Sequence, residues 1–363
     1  MARRLESDKF LFVAVVALVL FGTLMVFSAS AVMASQRYGS SYYFLIRQLA
    51  WAVVGLTAMV VVMNVDYRKY ANPVFIFPAL GLQLVLLIAV FFLSPSHHAH
   101  RWFHLGPANF QPSELSKVIL IIFLAYFLDQ RQGHVNDRQY TLLPIMLIIG
   151  MTVVLIVGEP DLGTAIAITL VVAAMLFAAG LHWGYYGAAV AAVAPAFYVL
   201  VYRVPYRWNR VLAFINPETD PLGKGFQIIQ SKIAVGTGGI DGLGLMEGKQ
   251  KLFFLPEPHN DFIFAVISEE LGFIGAVVVL AAFAIILWRG LRAASACTND
   301  FGRLLAIGLT VLIVGQALVN ISVVVGLLPT KGIPLPLVSY GGSSLLMNLV
   351  ALGILLNISQ HAS

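Results

Sequence analysis

Residues 255–275 read LPEPHNDFIFAVISEELGFIG, a stretch in which a polar, proline-broken loop turns into an apolar helix. Asp261 lies where the two parts meet, and Glu269 and Glu270 follow inside the apolar part. Ionisable side chains within a membrane span are costly and commonly mark function. With a helix start near position 260, Asp261 would lie in the first turn, where the helix dipole favours a carboxylate. The alternatives are a simple helix cap for Asp261 and a helix-locking ion pair for the two glutamates.

The rest of the chain also has the composition of a membrane protein. Of its 363 residues 60% are hydrophobic and 11% are charged, whereas soluble domains carry about 25% charged residues. The apolar runs are long and continuous, which excludes a transmembrane β-barrel. The single cysteine excludes an intramolecular disulfide. The net charge of +5 is scattered over short loops, so we expect no nucleic-acid partner.

We predict an all-α polytopic membrane protein that forms one domain over residues 1–363. A span needs about 20 apolar residues, and ten segments approach this length. They are 10–34, 46–63, 74–93, 113–128, 142–157, 163–180, 184–203, 260–288, 304–326 and 338–359. The long loop 204–259 separates the seventh span from the eighth. No internal repeat is visible, so the inverted-repeat architecture of many transporters gains no support.

The basic residues predict how the spans are oriented. Arg3, Arg4 and Lys9 precede the first span, which favours a cytoplasmic N-terminus, and an even number of spans places the C-terminus on the same side. The loops with unusual composition then lie outside the cytoplasm, and they are 94–112, 157–162, 204–259 and 327–337. We therefore expect an extracytoplasmic working face. The basic loop 204–259 departs from the charge rule, so we expect its cations to serve another purpose.

The segment HRWFHLGPANFQPSELSK before the fourth span offers five candidate binding residues. Arg101 suits phosphate oxygens because its guanidinium binds them in a bidentate way. Trp102 fits either an interfacial anchor or a platform on which a sugar stacks, and Gln111 lies in the same loop. Glu114 and Lys117 share a helix face and can pair, so a purely structural ion pair is the alternative.

The large loop and the segment before the last span supply further candidates. Arg207, Arg210 and Lys224 could hold an anionic headgroup, or they could anchor the loop to anionic lipid. GKGFQIIQSKIAVG predicts a short amphipathic helix. In LPTKGIPLPLVSYGGSSLL, prolines interrupt the backbone, which membranes tolerate only beside protein or a cavity; helix packing through Ser and Gly is the alternative. The other candidate substrate-binding residues are Gln227, Gln230, Ser231, His259, Glu269, Lys331, Ser339, Tyr340 and Ser343.

Four histidines, His97, His98, His100 and His104, invite a metal interpretation. They lack a carboxylate or cysteine partner at the spacing of zinc enzymes. We therefore predict no metal ligands in this cluster.

Five motifs together resemble the SEDS family of cell-wall polymerases, the FtsW and RodA family. They are RWFHLGPANFQPSELSK, GEPDLGTA, NPETDPLGKGFQIIQS, LPEPHNDFIFAVISEELGFIG and GIPLPLVSYGGSS, and they occur in family order along nearly the whole chain. MVFSAS and GKQKLFFLPEPHNDF are more similar to the division-type members, and GIPLPLVSYGG to the elongation type. PEPHND departs from the EAHTD-like run that is common in the family.

The resemblance implies a peptidoglycan glycosyltransferase of the bacterial cytoplasmic membrane. Such an enzyme joins lipid II units into glycan strands at the outer face during cell division or elongation, with undecaprenyl diphosphate as the leaving group. The resemblance assigns catalysis to Asp261, and it implies a class B penicillin-binding protein as transpeptidase partner, beside other divisome or elongasome membrane proteins. A divalent cation, Mg or Mn, could assist.

The chemistry of glycosidic bond formation fits the candidate residues. A base must accept the proton of the acceptor hydroxyl, and positive charge must stabilise the departing diphosphate. Asp261 would be the general base, and Glu269 could pair with a cation deeper in the bundle. Two other functions remain open at this point: a flippase or transporter of lipid-linked precursors, and a membrane scaffold that recruits a transpeptidase.

Overall fold

The computed structural model describes residues 8–93, 101–105, 108–219, 223, 225–252, 254–330 and 332–361. Two candidate cations, Lys224 and Lys331, lie outside these residues, as do three of the four clustered histidines. Within the described part the chain folds almost entirely into helices. Its sheet there is one short antiparallel hairpin of β1, Phe103–Leu105, and β2, Ala108–Phe110.

Twelve α-helices occur in the described part of the chain. They are α1 Lys9–Tyr38, α2 Tyr43–Met63, α3 Pro73–Ala89, α4 Pro112–Asp129, α5 Leu143–Gly158, α6 Leu162–Ala178, α7 Trp183–Phe197, α8 Pro205–Ile215, α9 Phe226–Thr237, α10 Ile263–Ala296, α11 Asp300–Val325 and α12 Gly342–His361. Short 3₁₀ or π segments extend α3, α5 and α7, and they are Val90–Phe92, Arg138–Leu142 and Tyr198–Tyr202.

A helix lies at each of the ten predicted spans, which confirms the all-α polytopic membrane class. Among the described residues, seven helices are long and apolar enough to cross a membrane on their own: α1, α2, α3, α5, α10, α11 and α12. The other three fall short because α6 and α7 are brief and α4 includes three charged residues, Glu114, Lys117 and Asp129. The predicted loop between the seventh and eighth spans contains α8 and α9.

The bundle is built around α11 and α12, whose side chains are mostly buried. Helix α12 packs along α2, while α11 packs against α10, α6 and α4. Helix α1 closes the core between α2 and α10. Large apolar side chains on the outer helices are exposed, as expected of surfaces that face lipid.

Helix ends meet in two layers because successive spans run in opposite directions. One layer contains Asp261 and the first turns of α2, α4, α6, α10 and α12, and we call it the site end. At the opposite end Asp8 pairs with Arg289, which joins α1 to α10. There Asp129 Oδ1 also accepts a hydrogen bond of 3.0 Å from the Phe301 amide, which joins α4 to α11. These contacts fix how far the helices slide past one another.

Helix α10 is broken at Gly272, which has φ 63° and ψ −161°. A Cβ added there would lie 2.4 Å from both the Gly242 amide nitrogen and the Ile240 carbonyl oxygen. Residues 238–252, which we call the docked loop, therefore lie directly against the broken turn. Helix α10 covers the predicted span 260–288, and the break within it arises because another segment of backbone occupies the space beside Gly272.

Backbone hydrogen bonds join the docked loop to both sides of the break. The amides of Leu243 and Gly244 donate to the Glu269 and Glu270 carbonyls at 3.0 Å each. In return, the Phe273 and Ile274 amides donate to the Gly239 and Ile240 carbonyls at 2.9 and 3.2 Å. The loop thus satisfies groups that a broken helix would otherwise leave without partners.

A second charged layer lies nearer the site end. The Lys251 ammonium is 2.6 Å from Glu270 Oε1, and the Ser28 hydroxyl donates to the same carboxylate at 2.7 Å. Along α1, Ser28 lies about 30 Å from Asp8 at 1.5 Å per residue, which is the thickness of a bilayer's hydrocarbon core. Helix α1 continues from Ser28 to Tyr38, so the bundle extends about 15 Å past this layer towards the site end.

Candidate functional site

Asp261 lies in the loop just before α10, whose first residue is Ile263. Its carbonyl oxygen accepts a hydrogen bond of 2.8 Å from the Asn320 amide, and the Asn260 carbonyl accepts one of 2.7 Å from the Ser339 hydroxyl. These carbonyls are bound by side chains and not by the next helical turn, so the helix starts later than predicted. The expectation that Asp261 lies in the first turn of α10 was therefore wrong.

The segment between α11 and α12 forms one wall of the site. Besides holding Asp261, the Asn320 side chain donates to the Ile333 carbonyl at 2.8 Å. A Cβ added at Gly332 would lie 3.2 Å from Asp261 Oδ2. The Asp261 carboxylate thus faces the backbone of this wall. The Asn320 side chain joins the wall to the Asp261 loop by donating to a carbonyl of each.

Charged groups around Asp261 come from three other parts of the chain. Burial raises the pKa of Asp261 to about 7, and the negative charges of Glu257 and Asp161 act in the same direction. The positive charges of Arg210 and Arg101 oppose this effect. Asp261 can therefore exchange a proton near neutral pH, as a general base must.

Arg101 and Gln111 meet the GEPDLG segment between α5 and α6. Arg101 Nε donates to the Glu159 carbonyl at 2.9 Å, and another nitrogen of its guanidinium donates to the Pro160 carbonyl. The Gln111 side-chain amide donates to Asp161 Oδ2 at 2.9 Å. Two predicted binding residues thus contact one tight loop, Arg101 through its backbone carbonyls and Gln111 through the Asp161 carboxylate.

Glu159 and Asp161 are site residues that the sequence interpretation missed, although GEPDLG was among the motifs. Glu159 is fully buried, and within the described part neither of its carboxylate oxygens has a hydrogen-bond partner. Burial and the neighbouring Asp161 raise the pKa of Glu159 to about 8. This carboxyl is therefore protonated at neutral pH. The available signal was the pair of carboxylates beside a proline.

Of the loop arginines, Arg210 belongs to the site and Arg207 does not. Both lie on α8, but Arg210 donates to the Thr330 carbonyl at 3.4 Å, beside the wall that contacts Asp261. Arg207 donates to the Leu200 carbonyl at 2.8 Å and so points back to the extension of α7.

The predicted amphipathic helix forms as α9, which packs against α10 and α11. Ser231 on its buried face donates to the Val324 carbonyl at 2.6 Å, which is a packing contact. Gln227 and Gln230 on the same helix are half-buried.

The two glutamates of α10 bind the docked loop. Glu269 Oε1 accepts hydrogen bonds of 2.8 and 3.1 Å from the Lys249 and Gln250 amides. The carboxylate that pairs with a cation is Glu270, through Lys251. The interpretation of a locking ion pair thus holds for Glu270, and the cation partner expected for Glu269 is replaced by backbone amides.

Glu114 and Lys117 form the predicted ion pair, with 2.8 Å between Oε2 and Nζ. Both side chains are buried in the first turns of α4. Lys117 also lines a narrow cavity between α4, α6 and α11. A second narrow cavity follows the contact between α6 and α11 as far as Ile333, beside the wall of the site.

Aromatic residues surround His259, two positions before Asp261. Its ring centroid is 4.5 Å from that of Phe44 and 5.7 Å from that of Tyr340. Burial lowers the pKa of His259 to about 4, so the imidazole is neutral. The Tyr340 hydroxyl lies close enough to Arg47 for the two side chains to interact.

The structure divides the predicted site residues into two groups. Those gathered around Asp261 or its loop are Arg101, Gln111, Arg210, His259, Ser339 and Tyr340. Those held by contacts elsewhere are Glu114, Lys117, Arg207, Ser231 and Glu269. Of the rest, Trp102 is half-buried beside β1, and Ser343 is buried at the start of α12 with a hydroxyl that lacks a partner in the described part.

A helical membrane bundle with a carboxyl of raised pKa and arginines at one end has the features of an integral-membrane transferase. The FtsW/RodA/SpoVE family, described as "Cell cycle protein", matches residues 8–363. The chain belongs to this family. The "Probable peptidoglycan glycosyltransferase FtsW" of Geobacter metallireducens is 46% identical over 357 residues, which cover 98% of this chain and 95% of the relative. "Stage V sporulation protein E" of Bacillus subtilis is 40% identical over 363 residues, which cover 99% of each chain.

Solved structures share the fold. RodA of Thermus thermophilus matches with a TM-score of 0.72 at 28% identity, covering 98% of this chain and 97% of the other. A chain from a peptidoglycan synthase complex matches with a TM-score of 0.81 at 32% identity and 98% coverage of both chains. The description of that complex refers to structural coordination of polymerization and crosslinking.

Proposed function

We propose that this enzyme is a peptidoglycan glycosyltransferase that polymerises lipid II into glycan strands during cell division. The names of its relatives support the enzyme class. The observation on which the proposal rests most is the carboxylate of Asp261, whose pKa is raised to about 7 while Arg101 and Arg210 act on it electrostatically. A base poised near neutral pH and cations for a leaving diphosphate are the groups that this transfer requires.

The transfer has one bond-forming and one bond-breaking event. A sugar hydroxyl of the acceptor attacks the anomeric carbon of the donor, and a new C–O bond forms. The bond between that carbon and the diphosphate oxygen breaks with its electron pair, which releases undecaprenyl diphosphate. The hydroxyl proton passes to Asp261 and then to water. Arg101 and Arg210 stabilise the negative charge that develops on the diphosphate.

We place the site end outside the cytoplasm and both termini inside it. In this orientation the Asp8–Arg289 pair lies at the cytoplasmic boundary, and the Glu270–Lys251 pair at the outer one, with about 30 Å of hydrocarbon between them. Asp261 would then stand above the outer boundary, where the sugars of a membrane-anchored substrate extend.

A divalent cation, Mg or Mn, would bind the substrate's diphosphate and not a preformed cage of side chains. The charges of Asp161 and Glu257 act on Asp261, but within the described residues no three such groups stand close enough to hold a metal ion.

A class B penicillin-binding protein is the proposed transpeptidase partner, within a larger assembly of divisome or elongasome membrane proteins. The support is the fold match to a chain of a complex described as joining polymerization and crosslinking. Newly made strands would then be crosslinked beside the site end.

The test is polymerisation of lipid II by the purified protein, alone and with its transpeptidase, with products resolved by length. Asp261→Asn should abolish glycan formation while the protein stays folded by size-exclusion chromatography and thermal melting. Asp241→Asn, which changes an exposed aspartate of the docked loop, is the matched control and should retain activity. Wild-type activity in Asp261→Asn would disprove the assignment. No glycan from the wild type, even with partner and magnesium, would favour lipid transport, to be tested by a scrambling assay.

A further inference from the structure

The first turns of α2 form an aromatic and cationic cluster beside the site, which we call the Arg47 cluster: Arg47, Tyr43, Phe44, Tyr340 and His259. The Arg47 guanidinium lies 4.3 Å from the centroid of the Tyr43 ring. Phe44 and Tyr340 stand edge to face, with 5.0 Å between ring centroids. The Tyr340 amide donates to the His259 carbonyl at 2.9 Å. The cluster is thus joined directly to the loop that holds Asp261.

The guanidinium of Arg47 is held in place without neutralisation of its charge. One face lies on Tyr43, whose other neighbour is Tyr38, stacked at 4.0 Å. The Tyr340 side chain lies beside it and interacts with its charge. Within the described part of the chain, no carboxylate lies at ion-pair distance from Arg47. A planar cation with several N–H donors and no acidic partner suits a diphosphate.

Arg47 lies on a different flank of Asp261 from the other two arginines of the site. Arg101 binds the loop between α5 and α6, and Arg210 binds the wall at Thr330. Both influence the Asp261 carboxyl electrostatically, whereas Arg47 lies on α2 against Tyr43 and beside Tyr340. The site therefore has two cationic regions, one around Asp261 and one on the first turns of α2.

Polymerisation requires two diphosphates at unequal distances from the base. The donor's diphosphate is attached to the carbon under attack, so it must lie beside Asp261. In an acceptor lipid II, two sugar rings separate the diphosphate from the attacking hydroxyl. The acceptor's diphosphate must therefore lie well away from the carboxylate while its hydroxyl touches it.

We propose that Arg47, stacked on Tyr43 and flanked by Tyr340, binds the diphosphate of the acceptor lipid II, while Arg101 and Arg210 bind that of the donor. This inference rests on the proposed function and assigns the two substrates to separate flanks of Asp261. The competing role for Arg47 is contact with anionic lipid headgroups at the membrane surface.

The first experiment measures how the polymerisation rate depends on lipid II concentration, using the full chain in nanodiscs. Arg47→Gln should raise the KM for lipid II by about ten- to a hundredfold, as expected for a lost hydrogen bond to a charged group, and leave kcat unchanged. The KM of Arg47→Lys should lie between those of the wild type and Arg47→Gln, because lysine keeps the charge but lacks the planar guanidinium. Arg37→Gln is the matched control, because exposed Arg37 also lies near a tyrosine ring, at 5.9 Å from Tyr38.

Glycan length at saturating lipid II distinguishes an acceptor site from a donor site. A growing strand that is the donor is released early when its diphosphate is held weakly, so Arg210→Gln should give shorter products. Arg47→Gln should give products of wild-type length under these conditions. Shorter products with an unchanged KM in Arg47→Gln would overturn the assignment to the acceptor.

Further controls distinguish diphosphate binding by Arg47 from contact with lipid headgroups and from misfolding of the variant. If Arg47 only contacts lipid, Arg47→Gln will lower the melting temperature in anionic nanodiscs and leave KM unchanged, which would overturn the inference. Should Arg47→Gln fail to fold, Tyr340→Phe removes only a hydroxyl and should raise KM in the same direction; an unchanged KM there would also overturn it. No glycan from the wild type would overturn the proposed function and this inference with it.

Discussion

Asp261 acquires the properties of a base from its surroundings and not from its place in a helix. Burial is the largest cause of its raised pKa, and the Glu257 charge is the next. Asn320 and Ser339 fix the backbone on either side of the Asn260–Asp261 peptide. Side chains from distant parts of the sequence thus set both the position and the proton affinity of the carboxylate.

These surroundings predict the pH dependence of polymerisation. A general base works in its deprotonated form, so kcat should fall as pH drops through the pKa of Asp261, at about 7. For an unperturbed aspartate the fall would come near pH 4. Glu257→Gln removes a negative charge that raises this pKa, so it should move the fall to lower pH. The measurement is kcat across pH 5 to 9, with exposed Glu218→Gln as control.

An acid limb that stays in place in Glu257→Gln would show that another group controls the rate. Protonated Glu159 is the alternative, because its pKa of about 8 lies in the same range. Glu159→Gln would then remove the pH dependence that Glu257→Gln failed to shift.

At the scale of elements, α10 and the docked loop form one unit. The helix gives up hydrogen bonds at Gly272, and the loop replaces them from both sides. Farther along the loop, Glu269 accepts a hydrogen bond from the Lys249 amide, and Glu270 pairs with the Lys251 side chain. The loop leads directly to Asp261, so these contacts limit how far the carboxylate can move.

The close backbone approach predicts a strong effect of a single methyl group. Gly242 has φ 83°, and a Cβ there would lie 2.2 Å from the Glu270 carbonyl oxygen. Gly242→Ala should therefore destabilise the docked loop by about 2–4 kcal/mol through strain and overpacking, and activity should fall with it. Hydrogen exchange of the Leu243 and Gly244 amides provides the measurement.

The matched substitution is Gly236→Ala in neighbouring α9, where an added Cβ meets no atom within 4 Å. Since alanine favours a helix by about 1 kcal/mol over glycine, this variant should be as stable as the wild type or more so. Equal protection of the loop amides in both variants would contradict the docking argument.

At the scale of the molecule, hydropathy predicted the ten helices and their order, because apolar length determines a span without reference to its neighbours. The motifs also directed attention to Asp261, Arg101, Gln111 and Arg210. What could not be predicted depends on long-range contacts. The break at Gly272 follows from a loop 30 residues earlier in the chain, and only folding brings Arg47 of α2 beside Tyr340.

The two charged layers make a prediction about the bilayer. The Asp8–Arg289 and Glu270–Lys251 pairs are about 30 Å apart along α1. The protein should therefore be most stable in bilayers with a hydrocarbon thickness of about 30 Å, and thinner or thicker ones should impose a mismatch. Melting temperatures in phosphatidylcholines of increasing acyl length test this. A melting temperature that rises steadily with thickness would contradict the placement of the layers.

The docked loop also has a consequence for the order in which the protein matures. During synthesis the loop leaves the ribosome before α10, yet the carbonyls of Glu269 and Glu270 that its amides need belong to α10. Until that helix has inserted, the amides of the docked loop have no carbonyls of α10 to bind. The Asp261 carboxylate, which lies between loop and helix, therefore takes its place only after the eighth span has inserted, so a nascent chain stalled earlier lacks an assembled site end.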